Sequence, residues 1–140
     1  MTDDIEGIMT AEEWAAVARR KLGSAKVLRQ TKRWEDAYHL AGEALECALK
    51  AKIMRHQRLN SWPSRAARPE LYVHDPTALM LHAGLEPALL VEVTAATSTG
   101  TSWLVAKDWT VNSSRYATKV KLRLARDMVD AVEELIRWML

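Results

Sequence analysis

The sequence predicts an all-α fold, an up-and-down four-helix bundle with short accessory helices, and three observations carry that prediction. Ala and Leu dominate a composition with six Trp and no Phe, which favours helices over sheets. Apolar residues recur at helical spacing through 14–28, 34–55 and 115–140, so each stretch offers one side to a core. Helix-start signals stand where the periodic stretches begin. At 140 residues the chain is long enough to bury one substantial core and too short for a second domain to be expected.

Residues 1–9, MTDDIEGIM, read as a flexible acidic lead without the apolar segment of a secretory signal; residues 10–140 form the single helical domain. Thr10 with Glu13 three positions later makes a capping box. Trp14, Val17, Ala18, Leu22, Ala25 and Leu28 then mark the inward side of a first helix that runs to about Gln30. Thr31 to Arg33 is short enough to force an antiparallel hairpin. The second helix, about 34–55, places Trp34, Tyr38, Ala41, Leu45, Ala48 and Leu49 on one side and Glu35, His39, Glu43, Glu46 and Lys50 on the other. Glu46 and Lys50 form a favourable i,i+4 pair, and Gly42 would admit a neighbouring helix at close range.

Between His56 and Val73 the periodicity stops. The stretch carries Pro63, Pro69 and three arginines, with Trp62 and Tyr72 available to pin it to the body; irregular segments of this length tend to be functional or disordered. Asp75 followed by Pro76 is a helix start, with Asp as N-cap and Pro where its missing donor does no harm. That helix ends at Gly84, and Pro87 marks a second start. Residues 94–102, TAATSTGTS, read as a polar loop, 103–109 as one further helical turn, and Asn112, Ser113 and Ser114 as caps for a last helix from about Arg115 to Leu140. The last helix has two apolar stripes, Ala117, Val120, Leu124, Met128, Ala131, Leu135 and Leu122, Ala125, Val129, Val132, Ile136. The first packs on the second helix; the other needs the first helix or a second subunit.

A net charge of +2 names no partner by itself. The distribution is more informative. Arg115, Lys119, Lys121, Arg123 and Arg126 crowd the beginning of the last helix, where Arg115 and Lys119 oppose the macrodipole, and violations of local preference are expected at functional sites. Basic residues at a helix start with free backbone donors suit phosphate. Arg55, Arg58, Arg65 and Arg68 interleave with Trp62 and Tyr72, a mixture that can hold single-stranded RNA through phosphate contacts and stacking. A solvated basic face with aromatics covering the core explains the same residues without a ligand. The single Cys47 excludes an internal disulfide and fits a reducing, cytoplasmic setting. No metal-ligand spacing, phosphate loop or cofactor motif is present, and no apolar run reaches the roughly 18 residues of a membrane span.

The segments AYHLAGEALECALKAKIM, HDPTALM and NSSRYA occur in the order found in HEPN domains, and the chain resembles that family from about Trp14 to Leu140. Glu46, Leu49 and Lys50 match its second-helix pattern; His74 and Asp75 match a His-Asp-Leu stretch with Pro76 in place of Leu; Arg115 and Tyr116 resemble its Arg-Tyr pair. The resemblance implies a helical bundle that commonly dimerises, works in prokaryotic defence or toxin-antitoxin pairs beside a small nucleotidyltransferase, and binds nucleotides or RNA. Catalytic members are metal-independent ribonucleases with an Arg, four to six residues, then a His near the start of the last helix. Here Arg115 is followed by YATKVKL with no His in reach, so catalysis is not the leading expectation. The same spacing occurs at Arg33 to His39 and at Arg68 to His74, of which Arg68 and His74 are the candidate catalytic pair. Arg115, Tyr116, Lys119 and Arg123 are the candidate RNA or nucleotide contacts. A non-catalytic partner-binding bundle, using Val129 and Val132 as its interface, is the competing reading.

Overall fold

The computed structural model describes residues 9–140, and every regular element among them is helical. The α-helices are α1 (Ala11–Gln30), α2 (Trp34–Gln57), α3 (Pro76–His82), α4 (Glu86–Thr94), α5 (Ser98–Ala106), α6 (Val111–Arg115) and α7 (Leu122–Met139), with a single 3-10 turn at Pro69–Leu71. Of the expected N-terminal lead only Met9 falls within the described residues; its carbonyl accepts from the Trp62 amide at 2.9 Å.

The capping box forms as the sequence spells it. Thr10 Oγ1 accepts from the Glu13 amide at 3.2 Å, and Glu13 Oε1 accepts from the Thr10 amide at 3.0 Å. The helix then passes through Gly23 without a break and closes at a tight turn in which Lys32 sits in the left-handed region at φ 64°. The hairpin follows. Lys21 pairs with Glu43 at 3.1 Å, and Trp14 near the start of α1 lies by Lys50 late in α2. Ala15, Ala18 and Ala25 on α1 and Ala37, Ala41, Ala44, Ala48 and Ala51 on α2 are all buried, a small-residue seam that lets the two backbones approach closely.

Helix α7 packs on α2 and also lies along α1, where Lys26 meets Glu133 and Arg29 meets Asp130. Its opposite side is covered by α5, which α4 flanks. Both apolar stripes of α7 are therefore buried within one subunit from Ala125 onward: Ala125, Met128, Val129, Val132 and Leu135 are 0% exposed. The second stripe is not a free interface. Helix α5, which includes part of the segment expected to be a polar loop, lies along the side of α7 that carries Ala131 and Glu134.

Residues 98–102 open α5 rather than a loop. Thr97 Oγ1 caps the Gly100 amide at 3.1 Å, and the Ser98 and Thr99 hydroxyls donate to Glu134 of α7. Hydroxyls that signal a loop in isolation are here a cap and an interhelical anchor. Gly100 lies so close to the Glu92 carbonyl that no side chain would fit.

The start of the last helix also differs from expectation. Thr110, not Asn112 to Ser114, is the cap, and it opens the short α6, which ends at Arg115. Helix α7 begins seven residues later at Leu122, with Lys121 as an uncapped N-cap. The intervening chain contains the β-branched Thr118 and Val120, which resist helix, and the Val120 amide donates to Glu35 Oε1 at 3.4 Å. The delay shifts the dipole conflict rather than ending it: Arg115 and Lys119 leave the first turn, while Lys121 stands at the N-cap and Arg123 falls within the first turn.

Gly42 does admit a neighbour, though it is a side chain. The ring of Trp109, in the turn between α5 and α6, lies against it closely enough that a Cβ would fall inside 3.0 Å of three ring atoms.

Candidate functional site

The site is assembled from the polar side of α2 outward. Lys50 is only 8% exposed, and an ammonium so placed costs several kcal/mol unless compensated. Three groups compensate it. Glu46 Oε2 accepts from Nζ at 3.1 Å, and the ammonium lies 4.9 Å from the Trp14 ring centre and 5.5 Å from that of Trp62, where each ring face attracts the charge. The two indoles meet edge to face at 5.5 Å, so Trp62 pins the irregular 58–75 segment to the α1–α2 hairpin. Tyr72 adds to this by donating to the Pro63 carbonyl at 2.7 Å.

The second oxygen of Glu46 faces outward, where His74 Nδ1 approaches Oε1 to 2.8 Å. An ionised carboxylate only accepts, so Nδ1 carries the hydrogen. That fixes the tautomer and leaves Nε2 as the remaining polar atom of a ring that is 53% exposed. A buried Lys thus orients a half-buried Glu, and the Glu orients an exposed His.

His74 lines a cleft of about 360 Å³ together with Asp75, Trp109, Thr110, Val111 and Asn112. Asp75 is the α3 N-cap, one carboxylate oxygen accepting from the Thr77 amide at 3.2 Å. The far wall is held by His39. Its Nδ1 lies 2.7 Å from Ser114 Oγ, its Nε2 lies 3.5 Å from Glu43, and its ring packs beside Trp109. Ser, His and Glu in sequence resemble a nucleophile relay, but the hydrogen bonds run the wrong way. Ser114 Oγ donates to the Thr110 carbonyl at 2.7 Å and is 3% exposed. It is a brace between α2 and α6, not an activated hydroxyl.

The structure places the sequence-predicted residues as follows. His74 is on the cleft. Arg68 donates to Gln57 at 2.7 Å and to Glu70 at 2.8 Å, and this bond holds the Glu70 carboxyl below its ordinary range; Arg68 and His74 are engaged with separate partners. Arg115 ends α6, one turn beyond Asn112, and Tyr116 follows at 73% exposure. Arg115, Lys119, Lys121 and Arg123 are all exposed. Lys21, Lys26, Arg29, Lys50, Arg68, Lys107 and Arg137 meet carboxylates, while the α6–α7 cations, like Arg19, Arg20, Lys32, Arg33, Lys52, Arg55, Arg58 and Arg65, take part in no ion pair among the described residues.

Sequence reasoning missed Trp109, Thr110, Val111 and Asn112 as cleft residues. Their only local signal is the Thr110 cap, which names a helix and not a cleft. Among the described residues no group of three or more His, Cys, Asp or Glu is arranged to hold a metal, and no helix is long and apolar enough to cross a membrane. Comparison of the chain with family models, with curated proteins and with solved structures returned no match in any of the three.

Proposed function

We propose that this chain is a HEPN-like helical module that binds RNA or a nucleotide, of the kind that serves prokaryotic defence or toxin-antitoxin pairs, with α1, α2, α5 and α7 as its four-helix bundle. The observation that carries the reading is the α6–α7 segment. Four unpaired exposed cations surround an exposed tyrosine there, with Arg115 one helical turn from a cleft. Unpaired cations on an extended segment follow a phosphate backbone, and an exposed aromatic between them offers a stacking surface.

The test is fluorescence anisotropy of labelled single-stranded RNA across a salt series, with the Arg115→Ala, Lys119→Ala double variant beside the native chain. Each lost phosphate contact flattens the slope of log affinity against log salt by about 0.7, so the double variant should bind more weakly with a slope smaller by about 1.4. Equal affinity and slope would remove the assignment.

A metal-independent ribonuclease is the second reading, favoured by the Glu46-oriented His74, whose free Nε2 has the geometry of a general base. RNA recovered intact after incubation in chelator keeps the function at binding. Cleavage that His74→Ala abolishes assigns the chemistry to this histidine. The resemblance also implies a homodimer; with both α7 stripes buried inside the subunit its contact falls on another face, and sedimentation reads the mass directly.

A further inference from the structure

We infer that the cleft between α3 and α6 takes a nucleobase bearing an exocyclic amine, while the cations of the α6–α7 segment hold the phosphates outside it. This inference rests on the RNA reading above and adds what the site selects.

Three features of the cleft commit it to a base. Its volume of about 360 Å³ lies at the small end of ligand sites and is far more than the roughly 30 Å³ share of one water. Its rim carries a carboxylate, Asp75, with one oxygen committed to the Thr77 amide and the other open. A phosphate is repelled there, whereas an amine that donates is welcome. His74 Nε2, made an acceptor by the Glu46 bond to Nδ1, supplies a second site for a donor, and the exposed amide of Asn112 supplies both a donor and an acceptor. The walls between them are the apolar parts of Trp109 and Val111.

Position adds the fourth argument. Asn112 and Arg115 share the short α6 and stand about 4.5 Å apart along its axis, so a strand whose phosphates lie on Arg115 and Lys119 passes the cleft mouth. A larger cleft of about 420 Å³ between α5 and α7 is lined by Asp127, Asp130 and Glu134 and repels such a strand.

The experiment compares oligo(C) with oligo(U), two strands of equal charge and similar base size in which cytosine offers the C4 amine and an N3 acceptor where uracil offers a carbonyl and an N3–H. Native protein should bind oligo(C) about tenfold more tightly, the worth of one net hydrogen bond. His74→Ala and Asn112→Leu change exposed residues, and circular dichroism verifies their fold. Each should lower oligo(C) binding to the native oligo(U) level while leaving the salt slope unchanged. Cytidine monophosphate competing better than uridine monophosphate would show that the cleft takes the free nucleotide as well as the strand. Equal binding of both strands by native protein, or a preference that survives in both variants, overturns the base site and leaves the RNA surface standing. Failure of native protein to bind either strand at low salt overturns the RNA reading and this inference with it.

Discussion

Replacing Gly42 by Ala tests the packing that shapes the cleft. In an ordinary helix interior this change stabilises by about 1 kcal/mol through backbone entropy and helix propensity. Here the added methyl falls inside 3.0 Å of Trp109 Cε2, Nε1 and Cδ2, and the indole is 1% exposed with His39 packed beside it. Two responses are open. If the ring holds its place, α2 and the α5–α6 turn must separate, an overpacking cost of about 1–3 kcal/mol. If the ring is expelled, roughly 200 Å² of aromatic burial is lost, about 5 kcal/mol at 25 cal/mol per Å². Against the helix gain of about 1 kcal/mol, the first response leaves a net destabilisation of about 0–2 kcal/mol and the second about 4 kcal/mol. Urea denaturation followed by far-ultraviolet circular dichroism measures it. The decisive comparison is Gly42→Ala in a Trp109→Leu background, where the obstruction is gone and the same methyl should be neutral or stabilising by up to about 1 kcal/mol. A Gly42→Ala protein more stable than native, or an equal cost in both backgrounds, would refute the contact as the cause.

Two further outcomes follow from burial and charge. Burial pushes the Cys47 thiol up to about 11 from its ordinary 9.0, so the folded state holds its proton more tightly than the unfolded state; stability is intact below pH 9 and falls as pH rises toward 11, by about 2–3 kcal/mol in all. Denaturation midpoints from pH 8 to 11 should fall more steeply in native protein than in Cys47→Ala. A residual decline above pH 10 in the variant is expected from Tyr38, which burial and then the Asp108 charge also raise. Val129→Glu places a carboxylate at a position 0% exposed and should cost at least about 3 kcal/mol, seen as loss of the cooperative thermal transition; a folded variant with a lower sedimenting mass would return this stripe to an intersubunit role.

Local chemistry made much of the fold legible. The Thr10 and Glu13 box, the Asp75-Pro76 start and the Pro87 start depend on neighbours within one turn, and each helix stands where those residues announce it. The α1–α2 hairpin follows from two periodic stretches and a connection too short for anything else. Helix α5 was hidden because Thr97, Ser98 and Thr99 spell a loop until Glu134 supplies the acceptor. The true start of α7 was hidden because apolar spacing continues unbroken through Ala117 and Val120, while the contact that diverts the chain, Val120 to Glu35, spans most of the sequence.

The sequence by itself determined the helical class, the basic character of the 115–126 stretch and the Glu46 and Lys50 pair, since each depends on composition or on residues a turn apart. Only the tertiary structure decided that both sides of α7 are consumed within the subunit, that Glu46 turns its second oxygen to His74, and that Trp109 seats on Gly42 to form one wall of a cleft. Those outcomes depend on which surfaces meet. Periodicity shows that a face must be buried, but nothing within one turn of chain specifies the face that will cover it.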